Sequence, residues 1–212
     1  MNSWYTLTLK NEVEWEKLVN GCETPDIHFT PQYMKLFEDR TNDEATLFVT
    51  ESNSHQNYVL YPFFKRKINT IPLFSDFDDI YDVISPWYFG GPILQNSKNS
   101  EKLIEQFLKE FNEYAIRESI VTEFTRIHPL LKHSQIFAKL VDAEYSYDVT
   151  YVDLIQSRDE ILKNFKKSNR NAITSSERQG VQIEFSTSEN AINEFYFIYS
   201  KFLKQIKTSS FY

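Results

Sequence analysis

Apolar and polar positions alternate in "WYTLTL" (4–9), which predicts a short strand, and change to helical spacing in "EVEWEKLVN" (12–20). In "DIHFTPQYMKLFEDR" (26–40) Thr30 stands at a cap position and Pro31 suits the first helical position. Tyr33, Leu36 and Phe37 then make one apolar face. "ATLFVTE" (45–51) and "NYVLYPFFKRKI" (57–68) predict two strands, with the polar "SNSHQN" between them as a hairpin loop. Pro62 favours a bulge or an edge position in the second strand. Residues 69–97 show no sustained period. From 101 to 118, Leu103, Ile104, Phe107, Leu108, Phe111, Tyr114 and Ala115 form a helical stripe.

"SIVTEFTRI" (119–127) predicts a strand that His128–Pro129 ends, and "SYDVTYVDLI" (146–155) predicts another. Ser157 and Glu160 make a capping box for a helix with Ile161, Leu162, Phe165, Ala172 and Ile173 on one side. Gly180 stops it, "VQIEF" (181–185) reads as a strand, and a last helix over 189–207 is expected to bury Ile192, Phe195, Tyr196, Tyr199, Phe202 and Ile206. Strands gathered in hairpins with helices between them predict an α+β fold, a sheet with helices packed on it. The strand–helix series restarts near 146–150, so two domains are expected, 1–147 and 148–212.

Composition narrows the class. With 41% hydrophobic and 16% aromatic residues the chain can bury a sizeable core. No run of eighteen apolar residues and no secretory leader are present, so no integral membrane segment is expected. The single Cys22 fits a reducing cytoplasm. A net charge of −7 argues against DNA and general nucleic-acid binding. The charge is uneven: residues 158–178 hold six basic and three acidic side chains, a local +3 that leaves −10 for the rest.

Familiar site types are missing: no dinucleotide or Walker loop, no nucleophile elbow, no close Cys/His set. His28, His55, His128 and His133 lack metal-ligand spacing, so no metal is expected. Asp76, Asp78, Asp79 and Asp82 lack the glycine and terminal glutamate of a calcium loop and read as a solvated acidic loop. Three stretches remain. In "SPWYFGGPI" (85–93) the pair Gly90–Gly91 takes half of the chain's four glycines, flanked by Trp87, Tyr88 and Phe89. It is either a ligand pocket with close backbone approach or a tight turn wedged into the core. "EFTRIHPLL" (123–131) sets Arg126 and His128 on one strand face, to hold an anion or to form a salt bridge. "FKKSNRNAITSSERQGV" (165–181) offers Lys166, Lys167, Arg170 and Asn171, a phosphate contact or a solvated helix face.

Together, in this order, these stretches resemble the FemAB-type acyltransferases, the peptidoglycan interpeptide-bridge aminoacyltransferases and their sugar-acylating relatives. "DIHFTPQYMKLFE" is similar to the family's early Asp-aromatic-Thr/Ser-Pro segment. "WYFGGPI" resembles its "YGYGGP" loop and "EFTRIHPLL" its "RFHPLL" strand end. "SNRNAITSSERQGVQI" is similar to its "RNxIxKAxxxGV" helix and the final "SFY" to its "fYyF" strand. Ser175 and Ser176 replace the family's lysine–alanine, which bears on donor binding.

The resemblance implies a GNAT-like, largely antiparallel sheet with packed helices, followed by the start of a second GNAT-like domain. It implies transfer of an acyl or aminoacyl group to an amine of a cell-envelope precursor, a sugar or peptide. The donor would be a CoA thioester or an aminoacyl-tRNA. Gly90 and Gly91 would floor the acceptor pocket, with Trp87 and Tyr88 as its wall. Arg126 and His128 would sit beside it, and Arg170 and Asn171 would face the cleft. The donor site is expected beyond Tyr212, no cofactor is expected on this chain, and no catalytic base is assigned. A non-catalytic sugar- or peptide-binding module is the alternative, and an α+β interaction domain with the loop as core is a third.

Overall fold

The apolar runs at 45–51 and 57–68 become the two central strands of a six-stranded sheet. β2 (Glu44–Glu51) and β3 (Tyr58–Lys67) pair antiparallel, from Glu44↔Lys65 to Glu51↔Tyr58. In the order along the sheet, β1 (Trp4–Thr8) flanks β2, while β4 (Tyr81–Ile84) flanks β3 and is followed by β6 (Ile120–Phe124). β5 (Ile93–Leu94) pairs with Val59 and Leu60 at the other end of β3. All pairings are antiparallel except β4 with β6. The fold is therefore α+β with a mostly antiparallel sheet. It is seen in a computed structural model that describes residues 3–41, 43–52, 57–96 and 100–206. His55, most of the expected hairpin loop and the terminal "SFY" lie outside the described residues.

Both faces of the sheet are covered, which is why β2 and β3 read as continuous apolar runs rather than clean alternations. Ala45, Leu47, Val49, Leu60 and Phe64 pack toward α1 (Glu12–Asn20) and α2 (Pro31–Thr41), around the fully buried Trp15, Phe29 and Met34. Phe48, Val59, Tyr61 and Phe63 pack on the other side against Ile104, Phe107 and Phe111 of α3 (Ser100–Arg117). The stripe read from the sequence is thus the buried face of α3.

Pro62 lies opposite Leu47 in a central strand. On its far side β3 is paired by β5 only at 59–60 and by β4 only at 64–67, so Pro62 falls in the gap between them. The missing N–H is placed where no partner strand asks for it. Cys22, just beyond α1, is buried; its thiol donates to the Leu18 carbonyl at 3.5 Å, and burial pushes it up to about 12.

Several expectations change. Within 69–97 the short β4 and β5 form; at four and two residues they carry too little pattern to register alone. α4 (Ser134–Leu140) is seven residues long and likewise unannounced. The chain divides into two units, Met1–Val149 and Thr150–Tyr212. In the second, the expected single helix is two, α5 (Arg158–Asn164) and α6 (Lys167–Arg178), because Phe165 and Lys166 adopt extended backbone. The Ser157–Glu160 capping box opens α5, and Gly180 takes a φ of +75° after α6.

"SYDVTYVDLI" and "VQIEF" form no strand, and α7 (Glu189–Gln205) leaves Ile192, Phe195, Tyr196, Tyr199 and Phe202 exposed, with Ile206 just beyond it exposed too. An alternating segment becomes a strand only where a neighbour takes its N–H and C=O groups. Within the described residues of the second unit no such neighbour is present, so Phe185 remains 98% exposed and that unit has no sheet of its own for α7 to cover.

Candidate functional site

The loop 85–93 and the segment after β6 are joined by backbone hydrogen bonds. Gly90 N–H donates to the Arg126 carbonyl at 2.7 Å, and His128 N–H donates to the Gly90 carbonyl at 3.0 Å, a parallel bridge between Gly90 and Ile127. Side-chain space decides Gly90. A Cβ there would lie 2.6 Å from Ser85 Cβ and 3.2 Å from Pro86 Cδ. Gly91 is decided by its φ of +93°, with only ordinary contacts around an added Cβ. Gly90 therefore serves the close approach of the protein's own chain, and Gly91 the positive φ of the loop.

The aromatic neighbours separate. Trp87 stacks on Phe37 of α2 at 5.8 Å, and its carbonyl accepts from the Tyr33 hydroxyl at 3.0 Å. Tyr88 has a φ of +71° and is 65% exposed, a left-handed conformation uncommon for a residue with a Cβ. Phe89 turns inward and touches both His28 (5.7 Å) and His128 (5.2 Å).

Arg126 and His128 also part ways. Arg126 is exposed and lines a cavity of about 820 Å³, together with Phe89, Glu123, Phe137 and Tyr145. Its guanidinium lies 5.2 Å from the Phe124 ring. The Glu123 carboxylate in the same wall accepts from the Tyr61 and Thr125 hydroxyls. Among the described residues Arg126 is the cationic side chain in a lining that also holds Glu123 and Glu144.

His128 is buried and outside that lining. It faces Asp26: its Nε2 is 3.6 Å from Asp26 Oδ2, while its Nδ1 accepts from the Leu130 N–H at 3.2 Å. Asp26 caps a short 3-10 turn (Ile27–Phe29), and its Oδ1 accepts from the backbone N–H of His28 at 2.9 Å and from the His28 ring Nδ1 at 2.6 Å. His128, then the backbone and ring N–H groups of His28, hold the Asp26 carboxyl well below the usual carboxylate range, although partial burial opposes them. Trp15 fixes the turn from beneath, its indole N–H donating to the Phe29 carbonyl at 2.8 Å.

Asp26, His28 and His128 each bring one possible ligand atom within 4.8 Å of the others, a cluster the linear spacing of histidines gave no reason to expect. The Asp-x-His pair is visible in "DIH", where an aspartate before a turn commonly bonds the backbone two residues on. Its meeting with His128, a hundred residues away, is a product of the fold.

Arg170 and Asn171 belong to the second unit. The Arg170 guanidinium donates to the carbonyls of Phe165 and Lys163, capping the end of α5, so its charge serves local structure. Asn171, Lys166 and Lys167 are exposed. In the acidic loop, Asp79 pairs with Lys67 at 2.6 Å, and Asp82, on β4, makes a two-pronged pair with Arg66 at 3.0 and 2.5 Å.

No family model, curated protein or solved structure matches this chain. None of its helices is long and apolar enough among the described residues to cross a membrane.

A pH dependence arises at His133. Its ring is buried and its Nε2–H donates to the Pro92 carbonyl at 2.8 Å, tying α4 to the glycine loop. Burial lowers its affinity for a proton, and the Pro92 hydrogen bond offsets this only in part. A depressed folded value means that the unfolded chain takes the proton first as pH falls through about 6.5. The contribution is therefore complete above that pH and lost below it. Urea unfolding should show stability declining from pH ~7.5 to ~5.5, and His133→Gln should flatten that decline. An unchanged slope would assign it to another group.

Proposed function

We propose that the first unit is the acceptor-binding part of a FemAB-like acyltransferase with a GNAT-like sheet. It would work on an amine of a cell-envelope precursor, with a CoA thioester or aminoacyl-tRNA as donor. The observation that carries this reading is the cavity beside the Gly90–Ile127 bridge. Two of the stretches that resemble the family, "WYFGGPI" and "EFTRIHPLL", are hydrogen-bonded to each other at its edge. Arg126 stands in the wall with its planar fork available for a phosphate or carboxylate of the acceptor. Phe89, Phe124 and Tyr145 supply apolar surface for a sugar ring or peptide.

Catalysis in such a site comes from holding the amine against the acyl carbonyl and from donors aimed at the developing oxyanion. Binding of a peptidoglycan peptide and of an anionic amino-sugar precursor, measured by calorimetry, tests the acceptor half. Arg126→Ala should weaken binding about tenfold or more, as loss of a charged hydrogen bond does. Arg126→Lys should recover little, because a point charge cannot replace the fork. Equal affinity in all three proteins would remove Arg126 from the site. A screen of acyl-CoA and aminoacyl-tRNA donors tests the reaction, and no transfer from either would end the transferase reading.

A non-catalytic binding module is favoured by one observation: among the described residues 150–206 none is buried, so the described part of that unit has no enclosed core. Binding that depends on Arg126, with no turnover from either donor, would decide for it.

A further inference from the structure

We propose that Asp26 and His28 form a general-base dyad whose working atom is His28 Nε2, with His128 as a positioning residue. The chemistry assigned to the dyad rests on the acyltransferase reading; its geometry does not.

An ionised carboxylate only accepts hydrogen bonds. The 2.6 Å contact with Asp26 Oδ1 therefore requires the proton of His28 on Nδ1, and the lone pair is left on Nε2. The same oxygen also holds the His28 backbone N–H, so one atom fixes both the chain and the ring. No hydrogen-bond partner meets Nε2 among the described residues, and the side chain keeps 19% of its surface open. Tyr33 at 5.1 Å and Phe89 at 5.7 Å stand edge-on to the ring, with Tyr88 at 6.3 Å.

The same three residues are close enough for a metal ion, and hydrogen-bond chemistry decides against it. A ligating histidine gives its lone pair to the metal and donates its other N–H to an acceptor. His128 is built the other way. Its Nδ1 accepts from the Leu130 N–H, which leaves the proton on Nε2, the atom that faces Asp26. His128 is therefore a donor toward the carboxylate, and an Asp–His pair alone makes a poor metal site. The groups facing the dyad are His128, Tyr33 and Tyr88. His133 interacts with both His128 and Glu23, and Glu23 pairs with Lys132 at 3.6 Å. Phe89 lines the cavity that holds Arg126 and also contacts the His28 ring, so one side chain is common to the cavity and the histidine cluster.

In the transfer, the amine nitrogen attacks the carbonyl carbon of the thioester or ester. A C–N bond forms and the carbonyl π pair moves to oxygen. The ammonium proton passes to His28 Nε2, giving an imidazolium that Asp26 stabilises. Collapse of the intermediate breaks the C–S or C–O bond. The leaving thiolate or alkoxide departs with the electron pair and takes that proton from His28.

The first test needs neither donor nor acceptor. Long-range ¹H–¹⁵N correlation on the labelled full chain near neutral pH should show His28 with a protonated Nδ1 and a bare Nε2, and His128 with the opposite tautomer. Asp26→Asn should shift His28 toward the Nε2–H form. A wild-type His28 already protonated on Nε2 overturns the proposal, as does one-to-one Zn(II) binding that is lost in both His28→Gln and His128→Gln. In the donor screen, His28→Gln should lower kcat about 100-fold or more with little change in KM, and an unchanged kcat would overturn the dyad. Absence of transfer by the wild type, with the tautomers as expected, would sink the transferase reading and leave the dyad standing as a proton acceptor.

Discussion

Gly90→Ala is expected to cost about 1–3 kcal/mol of stability, the usual range for forcing an extra methyl group into a packed site. The added Cβ would meet Ser85 Cβ at 2.6 Å, and neither atom can swing away, because each is bound directly to backbone. Relief requires the 85–90 loop to open. That movement pulls Gly90 N–H from the Arg126 carbonyl and His128 N–H from the Gly90 carbonyl. Loss of stability should therefore be accompanied by loss of ligand affinity at the Arg126 cavity. Gly91→Ala makes the control. Its Cβ would find only contacts of 3.8 Å and more, so the cost is that of a positive φ, about 1–2 kcal/mol. Urea unfolding of the two variants separates steric from dihedral strain. A Gly90→Ala as mild as Gly91→Ala would show that the loop does not pack against Ser85 as described.

Trp15→Ala should be the most damaging single change in the first unit, at about 3–5 kcal/mol for a large fully buried aromatic. Its second consequence is local. The indole N–H is the anchor of the Phe29 carbonyl, and Phe29 ends the turn that presents His28 to Asp26. Trp15→Phe keeps much of the ring volume and removes only the donor, leaving a buried carbonyl unpaired at about 1–3 kcal/mol. Denaturant unfolding measures both losses, and the His28 ring resonances report whether the turn has moved. If Trp15→Phe matched the wild type in both, the indole bond would have no part in holding the site.

Local pattern was enough where an element is long and buried on one side. α3 was legible from its apolar stripe because its partner, the face of β2 and β3 that carries Phe48 and Tyr61, exists in the fold. The same kind of stripe in α7 misled, since an apolar face says what a helix would bury and not whether anything is there to receive it. The capping box at Ser157 was readable because it closes within four residues. β4 was not, because four residues with Asp82 among them become a strand only through β3 and β6. At the site, "DIH" carried a local signal and "RIHP" another. What joins them is a register of sheet and loop that sets His128 opposite Asp26, and no spacing along the chain encodes it. Arg126 and His128 alternate on one face of an ideal strand. β6 ends at Phe124, and beyond it the chain turns one residue to the cavity and the other to the core.

The thiol of Cys22 acquires a use from its place just beyond α1. It is the one sulfhydryl of the chain, shut in beside Leu18, and its reactive thiolate is suppressed by burial as well as by lack of access. An alkylating reagent can reach it only in molecules whose segment around α1 has opened. Every labelled molecule then counts one such excursion, and the rate of mass gain is a clock for local breathing at the end of α1.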